Sequence, residues 1–427
     1  MRVKRSWALV AACTLVLVGC RGGDDGADAG GIDAPGVSDE ACPDAVNSDN
    51  GCIYLGQISD LTQGPFAPLG VPITDAQKAF WERVNEDGGI EGYDIDVSTY
   101  VRDNLYNPET HNQVYQEIKG DVLALAQTLG SPTTLAILED MKAGDIVAAP
   151  ASWTSLWEFE DVIVESGANY CFEGMNIVDR AQEEAPLESV MAVHFAGDYG
   201  GDSAAGVGIA AEAHGLEFEA VETASGAEAQ SGAISAIVSN SPDLVVLATG
   251  ATETAAIVGG AAARGYQGRF YGSTPTWNVA LLDTPAAPAL QAMYTLSGLF
   301  QPWNTDTPGH EAMREALGGV TPNDGYTIGW IWAYPLKAAL EEWLTGDYDE
   351  NRAGLLQAVT ELESVDYEGM LPEEAGNYAG DPNDAAYRGT VFSEVDRQSP
   401  TGISTVTDFA VGPTAEEYEL TGSCFEG

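Results

Sequence analysis

Two short segments carry residue types that could hold an anion without a metal. Leu129-Gly130-Ser131-Pro132-Thr133-Thr134 reads as the start of a helix, with Ser131 as its N-cap and Pro132 in the first turn. Free amides at such a terminus, joined by a serine hydroxyl, attract a carboxylate or phosphate. Pro150-Ala151-Ser152-Trp153-Thr154 offers a second polar turn, here with an indole that adds flat apolar surface. Covalent and metal chemistry find less support. The histidines at 111, 194, 214 and 310 never stand at i,i+3 or i,i+4, so no zinc motif forms. No Gly-x-Ser-x-Gly elbow is present. Gly206-Val207-Gly208 lacks the full dinucleotide fingerprint, and Gly259-Gly260-Ala261-Ala262-Ala263 reads as a close-packed helix face. Trp330 and Trp332 read as core. The residues point to binding rather than catalysis, with no metal and no cofactor required.

Such turns need strands and helices to aim them. Apolar runs at Ile53–Ile58, Ile95–Val101, Val122–Ala126, Ile146–Ala149, Val190–Phe195, Leu244–Thr249 and Phe270–Gly272 read as strands. Several lack alternation, as parallel strands buried on both faces do. Between them lie amphipathic stretches. One follows Thr74-Asp75, with Ala76, Ala79, Phe80 and Val84 on one face and Gly88-Gly89 as its stop. The strand–helix rhythm predicts an α/β protein with doubly wound parallel sheets. It completes two rounds, before and after about residue 180, so two α/β lobes are expected. Ligands of open α/β sheets bind beyond the carboxyl ends of the strands, which places the site between the lobes.

The 427 residues carry 66 acidic and 17 basic side chains, a formal net charge of −49, and 44% are hydrophobic. A core is expected, and binding to nucleic acid is excluded, because so negative a surface repels phosphate. Residues 1–19 read as a signal peptide: Arg2, Lys4 and Arg5 precede an apolar stretch too short to span a bilayer. Leu17-Val18-Gly19-Cys20 resembles a lipoprotein cleavage site, which would make Cys20 the lipidated residue. Residues 20–51 are then an acidic, Gly-rich tether. The expected location is extracytoplasmic, with the membrane reached through the lipid anchor only. Cys42, Cys52, Cys171 and Cys424 remain, an even number in an oxidising compartment. They allow three pairings, of which Cys42–Cys52 with Cys171–Cys424 is favoured.

Further segments stand in a telling order and spacing: Gly56-Gln57-Ile58-Ser59-Asp60-Leu61-Thr62-Gln63-Gly64-Pro65, Val84-Asn85-Glu86-Asp87-Gly88-Gly89-Ile90-Glu91-Gly92, Asp103 with Asn107-Pro108-Glu109, the Ser131 turn, Asp198-Tyr199-Gly200, Arg264-Gly265-Tyr266 and Tyr387-Arg388-Gly389-Thr390-Val391-Phe392. Together they resemble the solute-binding proteins of branched-chain amino acid and amide ABC transporters. The resemblance implies the type I periplasmic-binding-protein fold, two lobes with three crossings near 175–180, 296–302 and 380–392. The first lobe would hold 52–177 and 300–382, the second 178–298 and 390–412, and 413–427 would form a C-terminal tail. It also implies a monomer that closes on a small-molecule solute and hands it to an ABC permease. A ligand-presenting sensor subunit is the alternative, and a secreted hydrolase a weaker one.

By position, Ser131, Ala151, Ser152 and Trp153 would receive the ligand's carboxylate and amine. Tyr199 would close over it from the second lobe, Thr249 and Gly250 would line the far wall, and Tyr326 would add an aromatic wall. Thr274 stands where amino-acid binders place an acidic residue for the ammonium. A buried ammonium without an anion costs several kcal/mol. A free amino acid therefore fits only if Asp60 or Asp324 substitutes; an amide, urea-like solute, small carboxylate or aromatic acid fits as well.

Overall fold

The computed structural model describes residues 32–425. The expected signal peptide, Cys20 and the first part of the tether lie outside them. Thirteen strands fall into two sheets. The first contains β1 (Val37–Ser38), β2 (Gly51–Ser59), β3 (Tyr93–Asp96), β4 (Val101–Asp103), β5 (Ala124–Leu129) and β6 (Ala148–Ala151). The second contains β7 (Ser189–Phe195), β8 (Glu217–Thr223), β9 (Leu244–Ala248), β10 (Arg269–Gly272), β11 (Tyr294–Gly298), β12 (Thr390–Val395) and β13 (Ile403–Ala410).

In the first sheet β2 is the hub. β3 pairs with its first half and β4 with its second, both parallel, and β5 and β6 follow in parallel on the other side. The second sheet runs β13-β12-β11-β10-β9-β7-β8, parallel from β11 to β8 and antiparallel at β12 and β13. The doubly wound α/β expectation is met in both.

Several local expectations are corrected. The run Ile95–Val101 is two strands, because the Asp96 carboxylate accepts the amides of Ser98 and Thr99 and turns the chain between them. The strand expected at Val122–Ala126 starts and ends later, at Ala124–Leu129. The helix after the first strand spans Ala67–Glu86, so it starts well before Thr74-Asp75. Pro68 suits its first turn, and the Thr74 hydroxyl donates back to the Gly70 carbonyl at 2.8 Å instead of capping. Gly88 does adopt a positive φ, +114°, just beyond the end.

Residues 32–51 belong to the folded body rather than to a free tether. β1 pairs antiparallel with β2. A disulfide joins Cys42 to Cys52, and the Asn47 and Asn50 side-chain amides donate to the Asp94 carboxylate. The second disulfide is Cys171–Cys424, so the favoured pairing is the one formed.

The helix Tyr170–Glu184 packs against the helix Asp198–His214 and touches β9 and β11. The chain thus leaves the first sheet before Tyr170, ahead of the expected crossing at 175–180. Small residues bring the two helices together: a Cβ on Gly206 would lie 2.0 Å from the Cys171 carbonyl oxygen, and one on Gly174 2.5 Å from that of Ser203. Gly206 is therefore a packing glycine, as its context suggested.

Arginines fasten loops and helix ends from within. Arg352 donates to the carbonyls of Lys119, Val122 and Leu123, Arg388 to those of Ala415 and Tyr418, and Arg314 to those of Trp303 and Thr305. Among the described residues no helix is long and apolar enough to cross a membrane.

Candidate functional site

At the carboxyl ends of β5 and β6 the two anticipated turns meet. Gly130 takes the N-cap position of the helix Ser131–Ala143, with φ +96°, so the cap lies one residue earlier than expected. The Thr133 hydroxyl donates to the Leu129 and Gly130 carbonyls. Released from capping, the Ser131 hydroxyl is buried with no hydrogen-bond partner among the described residues. It lines a cavity of about 30 Å³ between the two sheets. That space holds about two waters.

Aromatic rings enclose it. Trp153 and Trp332 lie 4.4 Å apart between ring centroids, and Trp153 also meets Tyr170 edge-on at 6.0 Å. Tyr199, from the helix after β7, reaches across to Tyr170 at 4.6 Å and Phe66 at 6.4 Å. Phe66 in turn packs on Tyr106 at 4.7 Å. Leu69, Ile73 and Leu129 complete an apolar wall, and among the described residues no Lys, Arg, Asp or Glu lines the cavity.

Most polar atoms on these walls are already engaged. Trp153 Nε1 donates to the Ser166 carbonyl at 2.8 Å. Ser152 Oγ accepts from Trp157 Nε1 at 3.2 Å. The Tyr199 hydroxyl donates to the Thr249 carbonyl and meets Ser273 Oγ, both at 3.0 Å. Two donors are left over: Ser131 Oγ and Trp332 Nε1, both buried without a partner among the described residues. Each such orphan costs about 1–3 kcal/mol, which an incoming acceptor would recover.

Of the nine anticipated ligand residues, Ser131, Ala151, Ser152, Trp153 and Tyr199 line this cavity. The other four do not. Thr249 lies behind Tyr199, and Gly250 is the N-cap of the helix Ala251–Ala263. Tyr326 packs against Trp303 at 5.6 Å and lines neither this cavity nor the neighbouring one. Thr274 lines a neighbouring cavity. Phe66, Tyr106 and Tyr170 were not singled out from the sequence, and Trp332 was read as core. It is core on one side and cavity wall on the other.

Thr274 has a partner that sequence order hides. Glu173, buried on the helix Tyr170–Glu184, accepts from the Thr274 amide at 3.0 Å and its hydroxyl at 2.9 Å. Burial pushes its carboxyl up to about 8, opposed by the hydrogen bonds from Thr274. Supplying the absent acidic residue by Thr274→Glu is therefore expected to cost about 2–4 kcal/mol of stability, since it sets a second carboxyl against Glu173. Urea unfolding checks this; an unchanged midpoint would show that the two carboxyls avoid each other.

Asp60 is also committed. Its carboxylate accepts the amides of Gly64 and Phe66, both at 2.9 Å, and so holds the loop that presents Phe66. It lines neither cavity. Asp324 lines the neighbouring one.

The periplasmic binding protein family matches residues 53–397. The fold is similar to that of a fatty acid ABC transporter substrate-binding protein from Thermomonospora curvata, with a TM-score of 0.82 and 27% identity over 92% of this chain and 98% of that one. A branched chain amino acid ABC transporter structure from Thermus thermophilus with bound valine gives 0.75 and 17%, over 86% and 98%. A leucine binding protein from Thermotoga maritima gives 0.70 and 16%, over 84% and 99%. No curated protein sequence matches significantly. With two parallel-rich sheets, a cavity between them and a family match over most of its length, the chain belongs to the periplasmic binding proteins, the solute-binding components of ABC transporters.

Proposed function

We propose that this protein captures a small carboxylate with an apolar body between its two lobes and delivers it to an ABC permease. In this reading Cys20 carries the lipid that keeps it at the membrane. The observation behind the ligand class is the pair of orphan donors, Ser131 Oγ and Trp332 Nε1, on otherwise apolar walls. They suit a group that only accepts, and the positive end of the helix Ser131–Ala143 suits one that is negative. Among the described residues an α-ammonium would find no anion on the same walls, which argues against a free amino acid.

The mechanism follows from size. About 30 Å³ is too little for a solute of several carbons, so the lobes must part to admit one. Rings from both sides then close on it, and contacts made to both lobes at once favour the closed state. The fatty acid named for the Thermomonospora curvata protein has the same chemistry, an acceptor head on an apolar chain.

A thermal-shift series tests this. At 100 times its Kd, a cognate monocarboxylate should add about 2.7 kcal/mol of stability. Ser131→Ala should weaken that binding about tenfold or more, the value of a charged hydrogen bond. Melting curves that respond to valine, amides or ureas while staying flat with carboxylates would overturn the ligand class.

A further inference from the structure

The cavity described above does not end the cleft. A second one of about 30 Å³ lies beside it, and Leu69 lines both. The Thr274-Pro275 turn also divides them, Pro275 on the first side and Thr274 on the second. This second cavity is again formed by elements of both sheets. Trp277, Leu296 and Ile403 come from the second, and Phe300, Asp324 and Ile328 from the segments packed on the first. Its walls are apolar in part, as those of the first cavity are, but its polar content differs. Asp324 brings a carboxylate whose Oδ1 accepts the Trp303 amide at 2.8 Å. Thr401 brings a buried hydroxyl that faces the Asp324 carboxylate and favours its charged form. Burial pushes the Asp324 carboxyl up to about 6, which still leaves it largely ionised at neutral pH.

From this arrangement we infer a second ligand subsite, formed by Asp324 and Thr401 beyond Leu69, that takes the far end of an extended acid carrying a hydrogen-bond donor there. The inference rests on the carboxylate-binding reading of the first cavity. The head would bond Ser131 and Trp332, the chain would pass Leu69, and a terminal hydroxyl or ammonium would meet the Asp324 carboxylate. An α-amino acid cannot do both, because its ammonium sits one carbon from its carboxylate. A plain alkyl end would set methyl groups against the Asp324 carboxylate and bring its charge no donor beyond the Trp303 amide and the Thr401 hydroxyl, a mismatch that polar sites reject.

Calorimetry on the whole chain at pH 7.5 tests this with pentanoate, decanoate, ω-hydroxydecanoate and ω-aminodecanoate. Pentanoate reports on the first cavity alone. The expected result is that pentanoate binds and at least one ω-substituted acid binds about tenfold or more tightly than decanoate. Which of the two is preferred identifies the donor as hydroxyl or ammonium. Asp324→Asn, which keeps an acceptor for the Trp303 amide, should erase the preference over decanoate. Thr401→Val, of similar volume, should reduce it and serves if the first variant does not fold. Binding of pentanoate and decanoate with no ω-preference overturns the subsite and leaves the first-cavity reading standing. Failure of every acid to bind overturns both.

Discussion

Glu173→Gln is expected to stabilise the protein by about 3 kcal/mol at pH 8 and to have little effect at pH 4. Glutamine reproduces the neutral carboxyl that the native state selects: its oxygen can accept from the Thr274 amide and hydroxyl as Glu173 does. Glu173 is buried, and its carboxyl is pushed from 4.5 up to about 8. Between these values the native state holds a proton that the unfolded chain has released, so stability falls as pH rises through that window. Glu158, pushed up to about 7, and Asp324, up to about 6, act in the same direction. Two buried histidines act in the other. His111 and His310 are pushed down to about 3 and about 4, so stability falls as pH drops from 6.5 toward those values. Urea midpoints across pH 4 to 9 would show this, with the alkaline loss reduced in the variant. Parallel profiles for the two proteins would mean that Glu173 carries no burial cost.

Loss of the Cys171–Cys424 bond is expected to cost roughly 4–5 kcal/mol, and loss of Cys42–Cys52 about half as much. The difference is one of loop size, with sequence separations of 253 and 10. Loop-closure entropy removed from the unfolded chain grows with the logarithm of loop length. Cys424→Ala leaves the buried Cys171 thiol beside the contact with Gly206, so the helix pair should remain intact. Tm measurements on Cys424→Ala and on Cys42→Ala/Cys52→Ala, under oxidising conditions, compare the two cross-links. Equal losses would show that residual structure in the unfolded chain, not loop length, sets the contribution.

Much of the architecture was readable because buried parallel strands are written as apolar runs. β2, β5, β6, β7, β9 and β10 all carry that signature, and their succession with helices sufficed for the α/β reading. β8, with the sequence Glu217 to Thr223, lies at a sheet edge and is largely exposed, so its composition hides it. β12 joins the sheet through long-range antiparallel pairing with β11, which local pattern does not encode, and β13 follows it as a hairpin partner. The site divides in the same way. Ser131 and Trp153 follow strands and could be found from their turns. Glu173 could not, because its relation to Thr274 spans 101 residues and exists only after the helices pack. Trp332 is core as read, but its cavity face stayed hidden for a related reason: a helix that is apolar all round does not say which side faces a cavity. The unpartnered indole nitrogen becomes visible only once every neighbour is in place.

The arginines that fasten loops from within also set how the molecule meets its surroundings. Several of the 17 basic residues point their guanidinium groups at backbone carbonyls. A carbonyl carries no full charge, so these cations offset no carboxylate of the outer shell directly. To a second copy, the protein presents a net charge of one sign, which repels it. That repulsion reaches about one Debye length, ~10 Å at 0.1 M salt and ~30 Å at 0.01 M. Ionic strength then sets how closely two copies can approach before that repulsion opposes them.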